Sequence, residues 1–212
     1  MTTLAPIKLK CPVCTNEFKS QEIGSCGFAS KRTDFRPNYW GFNPTEYFYH
    51  LCPDCGFCGG KKYFEGLIKN KEIKKEIKQM GILKDYSLPE KIKRAANCLQ
   101  IMKKHRKEEI NDFLIGDSWI KAFWWALSTD KEKEYGEKAI KFFEKALKSN
   151  QIPEDQIMGI RYLLGEIYRR IGKPKEANKK FDDVIALTEN KEEYRFIYQL
   201  AKQQKKDPKD TL

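Results

Sequence analysis

Two cysteine motifs constrain the fold of this 212-residue chain more than any other feature of its sequence. Cys11 and Cys14 flank one Cys-Pro-x-Cys turn, and Cys52 and Cys55 flank a second. Two intervening residues let a tight turn aim both sulfur atoms at one ion, while the proline fixes φ and Gly56 tolerates a positive φ after the second turn. Two such turns therefore predict a closed, tetrahedral Cys₄ site that holds one structural Zn²⁺ ion per chain.

Three further cysteines, Cys26, Cys58 and Cys98, lie outside these turns. Cys58 forms an overlapping Cys-x-x-Cys motif with Cys55, so an exchange of ligands between Cys52 and Cys58 stays open. Cys26 and Cys58 could pair as thiols or as a labile disulfide, although two small, semi-buried residues are the simpler interpretation. Redox Cys-x-x-Cys motifs usually occur in a thioredoxin-like βαβ setting, which this sequence does not show. A thiol-redox or metal-responsive protein is therefore the weaker alternative.

The segment between the cysteine motifs is rich in aromatic residues and poor in groups for catalysis. Nine aromatic residues lie between positions 28 and 57. They could stack nucleobases, but a small zinc ribbon needs large side chains to fill its core, and we favour this second interpretation. Asp34 and Asn43 are interpreted as turn or cap residues. His50 is a fifth candidate ligand, although we favour its interpretation as a bystander beside a complete Cys₄ set. Because the chain has two histidines and no recognisable catalytic constellation, we expect no enzymatic activity.

The residues after position 62 have the spacing of apolar side chains that is typical of helices, which predicts an all-α domain over residues 63–204. Ser87, Pro89 and Glu90 predict a helix start with a capping box, and Gly81 and Gly172 predict helix ends. The helix that begins at this box is predicted to end near residue 104, and the residues after 204 to form a frayed tail over 205–212. The other predicted helices span residues 64–80, 108–128, 132–149, 154–171, 174–188 and 191–204.

Residues 160–187 match the template of the tetratricopeptide repeat (TPR), in which small residues let paired helices approach and aromatic residues fill the space between them. A simple helical bundle is the alternative. The residues at the template's positions are Leu164, Gly165, Tyr168, Ala177 and Phe181, with an earlier partial match at Ala139, Phe143 and Ala146.

The TPR template also predicts a partner-binding groove. It directs four side chains of the first helix of the matched repeat into the concave face, namely Tyr162, Glu166, Arg169 and Arg170. Arginine pairs suit an acidic peptide or a terminal carboxylate, so a protein or peptide partner is expected. A solvated helix face is the alternative interpretation of these four residues.

The net charge of +11 is concentrated in residues 61–110, where fifteen basic and seven acidic residues give +8. This segment, which includes Lys71, Lys74 and the run from Lys103 to Lys107, could face phosphates, or it could be the solvated face of amphipathic helices. We favour the solvated face. Four thiolates and one Zn²⁺ would also change the +1 charge of residues 1–60 to about −1. A nucleic-acid-associated factor is thus an alternative function that we do not favour.

The sequence shows no signal for a membrane or for secretion. Its longest apolar runs are far shorter than the roughly eighteen residues that a membrane span needs. The first ten residues lack the apolar region of a secretory signal. We therefore expect a cytoplasmic protein without membrane contacts, in which cysteines are metal ligands or free thiols rather than disulfides.

The residues of the first domain resemble an uncharacterised bacterial family, known only as a domain of unknown function, that has an N-terminal zinc ribbon followed by TPR-like helices. The resemblance rests on five stretches of sequence: Cys-Pro-Val-Cys, Thr33-Asp34-Phe35, Tyr39, Asn43-Pro44 with Tyr47, and Cys-Pro-Asp-Cys-Gly. It implies Zn²⁺ at Cys11, Cys14, Cys52 and Cys55, and it implies no activity. This sequence departs from the family's pattern at Cys58, where a small residue such as alanine is expected.

Taken together, these patterns predict an α+β protein with a small zinc ribbon of short β-hairpins over residues 1–62 and a TPR-like helical array over residues 63–204. The predicted function is that of a non-catalytic, zinc-binding adaptor for protein interactions.

Overall fold

A computed structural model describes residues 2–105 and 109–212 of the chain. In these two ranges it contains six strands, paired as three antiparallel hairpins, followed by seven α-helices, so the predicted α+β class is confirmed. The strands are β1 (Thr3–Lys10), β2 (Glu17–Ser25), β3 (Phe28–Lys31), β4 (Pro37–Tyr39), β5 (His50–Leu51) and β6 (Cys58–Gly59). The helices are α1 (Lys71–Gln79), α2 (Leu88–Lys104), α3 (Asp112–Trp125), α4 (Glu132–Lys148), α5 (Ile157–Arg170), α6 (Pro174–Thr188) and α7 (Arg195–Lys206).

Two of the hairpins carry the cysteine motifs at their turns. β1 pairs with β2 as far as Lys10 opposite Glu17, and the first motif forms the turn between these two residues. β5 pairs with β6 through His50 opposite Gly59 and Leu51 opposite Cys58, and the second motif forms that turn. The third hairpin, β3–β4, lies between them in the sequence and pairs Phe28 with Tyr39.

The helix boundaries follow local capping chemistry. α1 begins at Lys71, later than the predicted residue 64, because the Asn70 side chain caps it by accepting hydrogen bonds from the N–H groups of Glu72 and Ile73. The residues before it form a short 3₁₀ turn over Lys61–Phe64. α3 begins after an equivalent cap, and its predicted start at residue 108 lies outside the described residues.

The start of α2 differs in part from its prediction. Pro89 lies in the first turn as expected, but within the described part of the chain the Ser87 side chain makes no capping hydrogen bond. The Glu90 carboxylate accepts a hydrogen bond from the Tyr135 hydroxyl instead and pairs with Lys131 at 3.2 Å. The contact with α4 therefore replaces the predicted capping box.

Neighbouring helices pack against one another along the chain, with α2 on α3, α3 on α4, α5 on α6 and α6 on α7. Two glycines permit close approach. A Cβ atom at Gly165 would lie 2.5 Å from the Phe181 ring, and one at Gly116 would lie 2.7 Å from the Phe143 ring. Glycine at these positions lets an aromatic ring of the next helix lie directly against the backbone.

The hairpins and the helices share one hydrophobic core. Cys11 and Phe57 from the turns belong to the same cluster of buried side chains as Ile92, Cys98 and Phe123 from the helices. A second, smaller cluster joins α5, α6 and α7 around Tyr162 and Phe181, and the half-buried Phe35 packs on both. The ribbon is thus packed against the helices instead of being tethered by a flexible linker.

The aromatic residues between the motifs do not all enter this core. Tyr49 and Phe57 are buried, whereas Phe28, Trp40, Phe42 and Phe48 are exposed. The ribbon is small and its hairpins are separate, so one packed face cannot cover all of them. The expectation that these residues fill the core is therefore wrong for these four.

The C-terminal residues form defined contacts, so the prediction of a frayed tail does not describe them. Thr211 forms an antiparallel bridge with Arg32, just beyond the end of β3. The N–H of Thr33 donates to the Asp210 carbonyl at 3.2 Å, and the N–H of Leu212 donates to the Lys31 carbonyl at 3.2 Å. Backbone pairing with the hairpin, which composition does not reveal, holds this tail.

Candidate functional site

The four motif cysteines converge in one cluster. Their sulfur atoms all lie within 4.8 Å of one another, with Cys11 and Cys55 3.5 Å apart and Cys14 and Cys52 3.5 Å apart. Zn–S bonds of about 2.3 Å in a tetrahedron separate sulfur atoms by about 3.8 Å. The cluster therefore has the size and the donor chemistry of a tetrathiolate metal site, and it can hold a metal ion.

Contacts among the cysteines, burial and backbone groups of the turns shift the pKa values of three of these thiols. The Cys55 thiol hydrogen-bonds to Cys11 and lowers the pKa of Cys11 to about 5, with further lowering by the N–H groups of Cys14 and Val13. The same bond raises the pKa of Cys55, and burial raises that of Cys52 to about 11. A metal ion must displace these protons, so its binding releases protons and weakens as the pH falls.

The two turns have the same backbone geometry, although their sequences differ. In the first, the Thr15 N–H donates to the Cys11 carbonyl at 3.0 Å; in the second, the Gly56 N–H donates to the Cys52 carbonyl at 3.1 Å. Thr15 and Gly56 both have a positive φ, 66° and 72°. Gly56 thus uses the positive φ that the sequence allows it, and Thr15 shows that φ alone does not require glycine here.

Gly56 is restricted by a neighbour as well as by its φ. A Cβ atom there would lie 2.3 Å from the Gly81 carbonyl oxygen at the end of α1. We expect Gly56→Ala to lower the free energy of unfolding by about 2–3 kcal/mol, the sum of left-handed strain and overpacking. Urea denaturation measures this change. Gly172→Ala is the matched control, because Gly172 has a φ of 77° with open space around it; an equal loss in both variants would contradict the role of the Gly81 contact.

The remaining cysteines lie elsewhere. Among the described residues, Cys58 is outside the cluster and is buried against α2, where its N–H donates to Cys98 Sγ at 3.5 Å and its thiol donates to the Lys91 carbonyl at 3.4 Å. Burial raises the pKa of Cys98 to about 12 and also raises that of Cys58. Cys26 is exposed. The structure thus places Cys26 and Cys58 in different environments and leaves Cys52 in the cluster.

His50 is close in sequence to the cluster but, among the described residues, does not belong to it. Its Nδ1 and the Ser20 hydroxyl form a hydrogen bond of 2.9 Å, and its ring packs edge-on against Phe64. Burial lowers the pKa of His50 to about 4, with a smaller contribution from Lys91. Its position agrees with the interpretation of His50 as a bystander.

The four residues predicted to line a groove lie at a junction between the ribbon and the helices. Tyr162 and Glu166 are fully buried, and the ring of Phe35 packs on Tyr162 at 5.4 Å. Glu166 accepts a hydrogen bond from the Thr33 hydroxyl at 2.7 Å and pairs with Arg169 at 3.0 Å. The loop of residues 32–36 from the ribbon therefore covers part of the face of α5 that the template leaves open.

Asp34 has a larger structural role than the predicted turn. Its carboxylate does accept from the Arg36 N–H at 3.3 Å, as a turn residue would. However, it is fully buried, 3.1 Å from Arg170 Nε and 3.7 Å from Arg32 Nε. Sequence reasoning missed the pair with Arg170 because 136 residues separate the two positions and no motif links them.

The same ribbon loop also contacts the end of α3. Arg36 donates to the Trp124 carbonyl at 3.1 Å, and its guanidinium lies 5.1 Å from the centre of the Trp125 ring. Trp124 Nε1 in turn donates to the Asp34 carbonyl at 3.1 Å. These bonds, together with the Asp34–Arg170 pair, hold the ribbon loop on two helices and define what we call the ribbon–helix junction: residues 32–36 with Tyr162, Glu166, Arg169 and Arg170.

The described lysines of the basic segment, residues 61–110, do not form one continuous surface. Lys71, Lys74, Lys75 and Lys78 follow one another along α1 beside a shallow depression. Lys103 pairs with Asp112, and Lys104 pairs with Glu76 at 2.8 Å. Arg106 and Lys107, the end of the predicted basic run, lie outside the described residues.

Comparisons with known proteins agree with the resemblance of the ribbon. Residues 4–207 match the model of a family described as "Uncharacterized protein conserved in bacteria (DUF2225)". No curated protein and no solved structure matches the chain. Across residues 2–105 and 109–212, none of the helices combines the length and apolarity that crossing a membrane requires.

Proposed function

We propose that this chain, which belongs to the bacterial family that its residues 4–207 match, is a non-catalytic adaptor for protein interactions whose ribbon is stabilised by one Zn²⁺ ion. The observation that carries the proposal is the position of the cysteine cluster. Three of its four cysteines are buried, and Cys11, Cys52 and Cys55 belong to the core that the ribbon shares with the helices. An ion held there would fix the ribbon, and through it the ribbon–helix junction.

The donor set supports zinc and a structural role. Four thiolates are soft ligands that favour Zn²⁺, and a complete Cys₄ shell leaves no open position for a substrate or a reactive water. Cys11, Cys14, Cys52 and Cys55 would hold the ion. The backbone N–H groups that point at Cys11 and Cys52 would stabilise the thiolates around it.

The helical part supports an adaptor with TPR-like stacking. Gly165 and Phe181 make the close contact between α5 and α6 that the repeat template expects of these two positions. Arg169 and Arg170 lie at the ribbon–helix junction, where guanidinium groups can bind carboxylates of a partner. A cytoplasmic location agrees with seven cysteines that form no disulfide, because thiols stay reduced there.

Affinity capture with the tagged full chain tests this function. From a bacterial lysate, the zinc-loaded wild type is expected to retain a defined protein, and Cys11→Ser is expected to lose it because the junction depends on the ribbon. Cys26→Ser is the matched control, since Cys26 is exposed and outside the cluster, and it should retain the partner. Equal capture by Cys11→Ser and the wild type, or no captured protein, would refute the proposal.

A nucleic-acid-associated factor is the second candidate, supported by the lysine face of α1. Such binding would weaken steeply with salt, because each neutralised phosphate releases counterions. We expect a labelled single-stranded oligonucleotide to show little binding to the full chain even at low salt. Strong binding that falls with salt, and that Lys74→Gln and Lys78→Gln reduce, would favour the second candidate instead.

A further inference from the structure

The ribbon–helix junction has an excess of positive charge that the tail partly neutralises. Arg32, Arg169 and Arg170 share two buried carboxylates, Asp34 and Glu166, within the described part of the chain. The third carboxylate is that of Asp210, whose Oδ1 lies 2.8 Å from Arg169 and 3.1 Å from Arg170, and whose Oδ2 lies 3.6 Å from Arg32. Although partial burial raises the pKa of Asp210, these arginines lower it below its usual value.

The fourth arginine at the junction adds to this excess. Burial is the main cause that lowers the pKa of Arg36, and the charges of Arg32 and Arg170 lower it further. The junction therefore holds four guanidinium groups and two buried carboxylates, and it attracts a further anion from outside the ribbon and α5.

The contacts with the tail require a peptide, since an isolated anion could not make most of them. The Gln204 side chain of α7, which is 2% exposed, donates to the Lys209 carbonyl at 2.8 Å and accepts from the Lys209 N–H at 3.1 Å. The same carbonyl oxygen lies 2.9 Å from the Thr33 hydroxyl, whose single proton it shares with the Glu166 carboxylate. Two more backbone bonds join residues 210 and 212 to the ribbon, as strands do when a peptide extends a sheet edge.

The tail can leave without opening the core. Residues 207–212 are all exposed, and the Asp210 side chain is 58% exposed although it bonds to two arginines. Without Asp210, Arg32 and Arg170 would still pair with Asp34, and Arg169 with Glu166. No buried charge would lose its last partner, so the junction can persist in an empty form.

We propose that the ribbon–helix junction is a binding site for an extended acidic peptide, and that residues 207–212 occupy it as an internal ligand that a partner's acidic segment displaces. The site binds the carboxylate of an aspartate through Arg32, Arg169 and Arg170. It binds the backbone of the residue before that aspartate through Gln204 and Thr33. This inference rests on the proposed adaptor function and names the chemistry of its partner.

The test compares full-length variants for binding of a fluorescein-labelled peptide with the sequence of residues 207–212, DPKDTL. In the wild type the tail competes, so binding is weak. Asp210→Ala removes the side chain that holds the internal ligand, and we expect it to bind the peptide at least about tenfold more tightly than the wild type does. A labelled peptide with asparagine at the second aspartate should lose this affinity.

Two further variants separate the parts of the site. Asp207→Ala is the matched control, because Asp207 is an exposed acid of the same tail that pairs only with Lys209 among the described ion pairs; it should bind as the wild type does. Gln204→Met in the Asp210→Ala background should abolish peptide binding, since it removes both bonds to the main chain. Far-UV circular dichroism verifies that each variant is folded.

A variant that acts through the main chain covers the case in which Asp210→Ala does not fold. Lys209→Pro removes the backbone N–H that donates a hydrogen bond to the Gln204 side chain. Because this weakens the internal ligand, the variant should also bind the added peptide more tightly. Unchanged affinity in both tail variants, or equal binding of the asparagine peptide, would overturn the inference. Displacement of the peptide by inorganic phosphate, together with full binding by Gln204→Met, would also overturn it and identify a simple anion site.

These results are distinguishable from failure of the adaptor function. If the full chain captured a partner but no variant bound the peptide, this inference would be overturned. The adaptor function would then be retained, with the partner bound at another surface. Peptide binding without a captured protein would support the site and refute the broader function.

Discussion

Cys11→Ser is expected to lower the zinc content of the purified protein to near zero, from the one ion per chain that we propose for the wild type. Cys11 is fully buried, 3.5 Å from Cys55, and it accepts hydrogen bonds from two backbone N–H groups of its own turn. A serine hydroxyl is a much weaker zinc ligand than a thiolate, and an incomplete shell does not recover the roughly 10–16 kcal/mol that structural zinc supplies. Elemental analysis measures the ion directly.

The same variant is expected to unfold the ribbon and to keep most of the helical signal. β1–β2 and β5–β6 are separate two-stranded hairpins, which are marginal without a common centre. The helices have their own contacts, such as α3 with α4 and α5 with α6. Circular dichroism at 222 nm reports the helices, and Cys26→Ser should leave both zinc and signal unchanged. If Cys11→Ser retained one zinc per chain, the ligand assignment would be wrong.

Asp34→Ala is expected to lower the free energy of unfolding by about 3 kcal/mol, because breaking a buried ion pair leaves the buried arginine with less compensating charge. Asp34 is fully buried, and its partner Arg170 has a side chain only 6% exposed. Arg170 would keep only the longer contact to Glu166, at 3.8 Å, and that to the tail. Chemical denaturation followed by circular dichroism measures the loss.

A surface ion pair provides the control for this prediction. Asp117 pairs with Lys121 at 2.6 Å on α3, and its side chain is 42% exposed. Asp117→Ala should cost less than about 0.5 kcal/mol, as is typical of solvent-exposed pairs along a helix. A loss for Asp34→Ala as small as that of Asp117→Ala would show that the ribbon loop does not depend on this pair.

The two predictions concern two different attachments of the ribbon. The cysteine cluster joins its first and last hairpins, whereas Asp34 joins the loop between them to α5. If both attachments matter, Asp34→Ala should retain zinc while losing stability, and Cys11→Ser should lose zinc first. Zinc content and unfolding free energy, measured on both variants, therefore separate the local role of the metal from the tertiary role of the loop.

Local features of the sequence were sufficient for much of the fold. The helices predicted over 132–149 and 174–188 agree with α4 and α6 to within one residue, because their ends depend on neighbouring residues. Gly81 and Gly172 have the positive φ expected where a helix ends. The capping box at Ser87 was predicted wrongly, since the Glu90 carboxylate has a stronger partner in α4.

The sequence by itself determined that the two cysteine turns share one site, although it left Cys52 and Cys58 as alternatives, and it determined where most helices end. Both depend on spacing within one turn, where covalent geometry restricts the outcome. Only the tertiary structure decided that Arg170 meets Asp34, that Gln204 binds the backbone of Lys209, and that Asp210 completes the arginine cluster. The sequence does not indicate which charged side chains pair, because many pairings have similar energy. Packing of the core selects one of them by bringing two particular positions together.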